Sequence, residues 1–262
     1  MRWAFVRSVE ALAVCLLLAA AGAAAAVEHG DWDALLGRHA HLDEELGVVR
    51  FAYGALTGDE VKAVRAYAAR LARLDPDTLP AGEREAAWLN LYNALSVLAV
   101  WEEYPALREA SFRRGLSAAA RAKPRIEVAG RRYSLDDLQR KIGALGDERL
   151  LFGLNCTTLD CPNLAERAFT GGALREQLGQ VVARFVNAGG VRLEGRRLRA
   201  SRRFRELAPG FAADEGRFAK FLAHYAVDLK ALYILGHRGQ VEWFADGRLN
   251  VWPSSQLVQS AP

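Results

Sequence analysis

The chain has 262 residues, 51% of them hydrophobic and 25% charged, with a formal net charge of +4. That is the composition of an ordinary globular fold with a sizeable core. The positive excess is mild and interspersed with acids, which argues against a nucleic-acid partner.

The N-terminus carries the firmest signal. Arg2 and Arg7 form a positive region, Ala11–Ala20 a short apolar stretch, and Ala24 and Ala26 the small residues of an A-x-A cleavage site. Together they predict a secretory signal peptide over residues 1–26, cut at Ala26–Val27, and a periplasmic or secreted protein. An uncleaved anchor needs about 20 apolar residues, and Ala11–Val27 falls short of that. A lipoprotein would turn polar after Cys15, where apolar residues instead continue. No stable membrane span is therefore expected after cleavage. Loss of Arg2, Arg7 and Glu10 takes the net charge from +4 to about +3.

Residues 27–56 read as an N-terminal extension, 57–254 as one domain and 255–262 as a tail. Thr57-Gly58-Asp59-Glu60 is a capping box that opens a helix with Val61, Val64, Ala68 and Leu71 on one face. The helix stops before Asp75-Pro76, because proline restricts the residue ahead of it. A second helix, about Glu83–Glu103, is apolar on nearly every side and is expected to be buried. Arg125–Tyr133 reads as a hairpin turning at Ala129-Gly130, and Ser134 caps a short helix through Leu145. Leu150–Leu154 is a compact apolar run read as a strand that delivers Asn155 and Cys156. Leu174, Leu178, Val181, Val182 and Phe185 mark a helix closed by Gly189-Gly190. A hairpin over Val191–Arg199 follows, then one helix from Glu215 to about Leu235, then two strands, Gln240–Phe244 and Arg248–Trp252. Helices outnumber strands, and the strands come mostly as hairpins. The expected class is α+β: a helix-rich single domain with a small, mostly antiparallel sheet.

Three features carry the chemistry. Cys156 and Cys161 sit in a polar loop after an apolar run, with Pro162 suited to a helix start. In an oxidising compartment such a pair is first a disulfide. A nucleophilic Cys156 is the second reading. It would need a depressed pKa and a base from His237 or His224, with Asp246 as the orienting carboxylate. Metal binding is the third, but two thiols fall short of four ligands, so neither metal nor cofactor is expected. Asn90 and Asn93, at i and i+3 on the buried helix, must meet polar partners, because an unpaired amide in an apolar interior costs about 1–3 kcal/mol. Asp246 and Asn250 suit a turn and a strand end. The basic stretch Arg196–Arg203 could touch phosphates or anionic lipid, but it reads first as a solvated hairpin and helix start, since no aromatic residues interleave to stack bases.

Taken together, Asn90-Leu91-Tyr92-Asn93, Asn155-Cys156 with Cys161-Pro162, and Asp246-Gly247-Arg248-Leu249-Asn250 resemble the proteins catalogued as domain of unknown function 547, over roughly Leu71 to Trp252. Asn90, Asn93, Asn155 and Asn250 read as a binding or structural polar centre around the cysteine loop, and the resemblance implies no settled reaction. Three departures stand out. Leu151 replaces a His common in that family, Arg205-Glu206 a Trp-Tyr pair, and Gly247 a Trp. The sequence leaves two functional readings: an exported binding or accessory module with a small-molecule or protein partner, or a thiol-dependent hydrolase or transferase acting through Cys156 on an amide or ester.

Overall fold

The computed structural model describes residues 27–109, 114–162 and 164–252, so the expected signal peptide and C-terminal tail lie outside the described residues. Helix α1 (Gly30–His39) leads into a hairpin of β1 (Ala40–Asp43) and β2 (Val48–Phe51), which the sequence reading lacked. Trp32, Leu35 and Leu36 turn one face of α1 inward. With Phe51 and Tyr53 they enter the main core cluster, so the segment expected as an extension is built into the domain's own core.

Helix α2 (Gly58–Arg73) starts at the expected box. Thr57 Oγ1 accepts the Glu60 N–H at 3.2 Å, and Glu60 accepts the Thr57 N–H at 2.9 Å. Helix α3 (Ala81–Glu109) is the axis of the molecule and extends past its expected end, through Pro105. Every residue from 86 to 100 is buried, as an all-round apolar helix requires. Among the described residues no helix is long and apolar enough to cross a membrane.

A short α4 (Ala118–Ala122) precedes the hairpin of β3 (Ile126–Val128) and β4 (Arg131–Tyr133). Its turn residues Ala129 and Gly130 both have positive φ, at 49° and 76°. Ser134 caps α5 (Leu135–Gly143). The run expected as a strand, Leu150–Leu154, is instead a 3-10 helix over Glu148–Gly153, with only Leu154 extended. The Asp147 carboxylate caps it by accepting the Arg149 N–H at 2.9 Å. A short apolar run buried on all sides has no periodicity to tell strand from helix.

This run and α6 (Leu174–Asn187) join two cores. Leu150, Leu151, Leu154, Leu174 and Leu178 belong to the main cluster, whereas Phe152, Val182 and Phe185 belong to a second. Gly189-Gly190 follow the end of α6 as expected, but Gly190 is not a left-handed cap. Its φ is not positive, and a Cβ there would lie 2.6 Å from the Phe185 carbonyl oxygen that its own N–H reaches at 2.8 Å. Close approach, not φ, requires glycine here.

β5 (Val191–Glu194) and β6 (Arg197–Ser201) form the expected hairpin. The helices α7 (Arg203–Leu207) and α8 (Pro209–Ala213) follow. The single helix expected over 215–235 is two, α9 (Glu215–Tyr225) and α10 (Asp228–Gly236). Asn187 causes the break, its Oδ1 accepting the Val227 N–H at 2.8 Å and its Nδ2 donating to the Tyr225 carbonyl at 2.7 Å. Finally β7 (Glu242–Phe244) pairs in parallel with β6. The expected partner strand Arg248–Trp252 makes only single bridges, from Arg248 to Arg114, from Leu249 to Thr158 and from Val251 to Phe51. Its backbone is drawn to the cysteine loop and β2 instead of β7. The whole is a helix-rich α+β domain with three small sheets, antiparallel apart from β6–β7.

Arg38 and His39 also hold the Glu60 carboxylate, each at 3.0 Å. Burial alone would raise its pKa, but the Thr57, His39 and Arg38 bonds outweigh that and lower it from 4.5 to about 2. A carboxyl so depressed stabilises fully above its unfolded value and loses that contribution as the pH falls toward 2. Glu60→Ala should therefore cost about 1 kcal/mol at neutral pH, with the two proteins converging as the pH approaches 2. Denaturant titration across that range measures it; equal stabilities at pH 7 would contradict the assignment.

Candidate functional site

Asn90 and Asn93 leave the same side of α3, whose own backbone groups are already paired within the helix. Their carboxamides act as additional peptide groups. Asn93 Nδ2 donates to the Gly153 carbonyl at 2.9 Å, and its Oδ1 accepts the Asn155 N–H at 2.8 Å. Asn90 treats a second segment in the same way, donating to the Phe169 carbonyl at 2.7 Å and accepting the Phe169 N–H at 3.0 Å. Gly153 permits the approach: a Cβ there would lie 3.1 Å from the Phe169 ring and 3.2 Å from Leu89.

Asn155 extends the network. Its Nδ2 donates to Ser96 Oγ at 3.0 Å, and its Oδ1 accepts the Asn250 Nδ2 at 3.1 Å and the Thr157 N–H at 3.2 Å. The Tyr53 hydroxyl donates to Asn250 Oδ1 at 2.9 Å. Burial pushes the Tyr53 phenol far above its usual range, so it stays a donor. Asn93, Asn155 and Asn250 thus share one buried network, while Asn90 serves a neighbouring loop.

The cysteine loop hangs from this network. The Cα atoms of Cys156 and Cys161 are 6.0 Å apart, within disulfide reach, and their sulfurs meet. Residues 154–162 are buried throughout. Leu116 passes over the loop, its N–H reaching Thr157 Oγ1 at 3.2 Å, and the 246–250 segment closes the other side. Thr157 has φ of 69°, a left-handed conformation that costs a β-branched residue on the order of 1–3 kcal/mol. Three bonds hold it there, from Asn155 Oδ1, the Leu116 N–H and the Asn250 N–H, the last at 3.1 Å.

Asp160, which sequence reasoning missed, is fully buried. It accepts the Thr158 hydroxyl at 2.7 Å, the Asp246 N–H at 3.0 Å and the Arg203 Nε at 3.4 Å. Its position inside the Cys-x4-Cys loop was the available signal. The basic stretch is mostly locally paired: Arg199 with Glu194 at 2.9 Å, Arg202 with Glu206 at 3.1 Å, Arg203 with Asp160. Tyr53 and Ser96 were also missed: Tyr53 stands in a segment that carried no polar motif, whereas Ser96, three residues after Asn93 on the same buried helix, could have been read with the asparagines.

The residues of the thiol reading are not drawn into one hydrogen-bonded group. The Asp246 carboxylate binds Arg248 Nε at 2.8 Å, and this pairing holds its pKa below the usual carboxylate range. The His237 ring stacks on Tyr233 with centroids 5.9 Å apart, and His224 lines an open surface depression with Arg149 and Lys220. Among the described residues no hydrogen bond joins an imidazole to either sulfur, and no group of three His, Cys, Asp or Glu residues is placed to hold a metal ion.

Residues 76–186, which contain the Asn90–Asn93 helix and the cysteine loop, match the family described as "Protein of unknown function, DUF547". Over that stretch the chain is similar to the DUF547 family. No curated protein and no solved structure gives a significant match. Tyr53 and Asn250, which complete the polar network, lie outside the matched DUF547 region. The departures noted in the sequence also have places here. Leu151 is a buried member of the main core, and Arg205 lies over the Trp243 ring at 5.2 Å. A Cβ on Gly247 would meet nothing within 4 Å.

If the carboxamides clamp backbone, their donors matter as much as their acceptors. Asn93→Asp keeps shape and the acceptor but strands the Gly153 carbonyl beside a buried carboxyl, and should cost about 2–4 kcal/mol at pH 7. Part of that loss should return on acidification, because the protonated carboxyl can donate again. Denaturant midpoints at pH 7 and pH 4 test this; an unchanged midpoint at pH 7 would show that the clamp contributes nothing.

Proposed function

We propose that this DUF547-like protein is an exported, non-catalytic module that acts by binding a small-molecule or protein partner. Cys156 and Cys161 form a disulfide in it. The observation that carries this reading is the burial of the whole 154–162 loop with its two sulfurs together, a site shaped to keep a backbone in place and closed to an incoming substrate. The signal peptide expected over residues 1–26 supports export into an oxidising compartment, where such a pair oxidises.

A disulfide spanning five positions would contribute about 2 kcal/mol by constraining the unfolded chain. Its role is therefore mainly local: it joins the two ends of a loop that contains the strained Thr157 and the buried Asp160. The binding surface would belong to the domain around this staple.

One observation favours the alternative, a thiol-dependent hydrolase or transferase. The left-handed backbone of Thr157 directly follows Cys156, and strained residues of this kind gather at reactive centres. In that case Cys156 would be a free thiol in the folded protein.

Intact mass after alkylation of the unfolded exported protein, with and without prior reduction, separates the two. The module reading expects both cysteines to resist labelling until reductant is added, and Cys156→Ser/Cys161→Ser to lower stability by about 2 kcal/mol. Labelling of Cys156 without reductant would overturn it in favour of the thiol reading.

A further inference from the structure

Helix α10 exposes an apolar ridge that its own packing cannot hide. Val227, Leu229, Leu232 and Leu235 are 62%, 83%, 68% and 49% exposed, the four highest values for large hydrophobic residues among those described. Leu229, Leu232 and Leu235 recur every three residues and so share one side of the helix.

The opposite side is fixed. Ile234 is buried in the second core. Lys230 Nζ donates to the Val186 carbonyl at 2.6 Å and the Val191 carbonyl at 2.7 Å, and the Tyr233 hydroxyl reaches the Gly195 carbonyl at 3.2 Å. Three anchors along the helix prevent it from rolling the leucines inward.

We infer that this ridge docks on an anionic phospholipid surface, lying in the headgroup layer with the leucines directed into it. Charge and area both favour that occupant. The ridge is bracketed by two exposed cations, Arg196 at the β5–β6 turn beside the Tyr233 anchor and Arg238 just beyond the helix end. Neither is in an ion pair among the described residues, whereas Arg197 and Arg199 are engaged by Glu194 and Glu242. Asp228, in the first turn of α10, is the acid on this face. A helix with an aliphatic face, an aromatic at its edge and basic residues at its margins is the pattern of an interfacial helix, whose affinity grows with apolar area and with attraction to anionic lipid. A second copy of the chain fits less well. Four aliphatic side chains offer roughly half of the ~800 Å² that each partner of a stable dimer buries. This surface lies apart from the cysteine loop and does not depend on the function proposed for that loop.

The test is co-sedimentation of the full chain with vesicles of phosphatidylglycerol and, separately, of phosphatidylcholine. Wild type should partition onto phosphatidylglycerol more strongly than onto phosphatidylcholine, and less at high salt. Leu229→Glu/Leu232→Glu should weaken that partitioning by about tenfold or more, as should Arg196→Ala/Arg238→Ala on phosphatidylglycerol alone. All proteins share residues 1–26, so any lipid affinity of that segment cancels in the comparison. The substituted leucines are exposed, and matching circular dichroism and melting curves would verify folding. Equal partitioning of wild type and the leucine variant would overturn the inference. So would a concentration-dependent dimer in sedimentation velocity that the leucine variant abolishes without any change in lipid binding.

Discussion

A carboxamide sealed inside a protein must pair both its donor and its acceptor, and Asn93 pairs them with the backbone on either side of Leu154. Each group left unpaired there would cost about 1–3 kcal/mol. The Gly153 carbonyl and Asn155 N–H are therefore committed to α3, and the chain between them has little freedom. The rest of the site follows from that commitment. Asn155 is delivered where its side chain can reach Ser96, Asn250 and the Thr157 amide. Asn250 in turn brings in Tyr53 and the C-terminal segment. Four pieces of chain distant in sequence meet around one buried side chain.

That arrangement lies at a seam. The 3-10 helix of residues 148–153 gives leucines to one core and Phe152 to the other, and α6 divides its face between the same two clusters. The cysteine loop leaves directly from this seam and is roofed by the 114–116 and 246–250 segments. A strained Thr157 persists there because three hydrogen bonds over-determine it. The loop therefore sits where the two core clusters meet.

Much of the fold was legible in the sequence because local chemistry agreed with the final structure. The Thr57–Glu60 box, the Ser134 cap, the Ala129-Gly130 turn and the all-round apolar helix each announced themselves through residues that act within one or two turns. The family resemblance likewise rested on residues that remain together in space. What was not legible depended on partners far along the chain. The break between α9 and α10 is imposed by Asn187, some forty positions away. The Arg248–Trp252 segment looked like a hairpin strand, but its backbone is claimed by the cysteine loop and β2. Tyr53 gave no warning, because a lone tyrosine in an apolar stretch reads as core until the asparagine opposite it is known.

The central claim is that two asparagines of one buried helix clamp the backbone of two loops. Residue-resolved amide hydrogen exchange of the Asn155 and Phe169 N–H groups tests it most directly. The account predicts that both exchange only with global unfolding, as slowly as the core of α3, although neither belongs to a helix or strand. Exchange at rates typical of open loops would mean that the carboxamides do not hold this backbone.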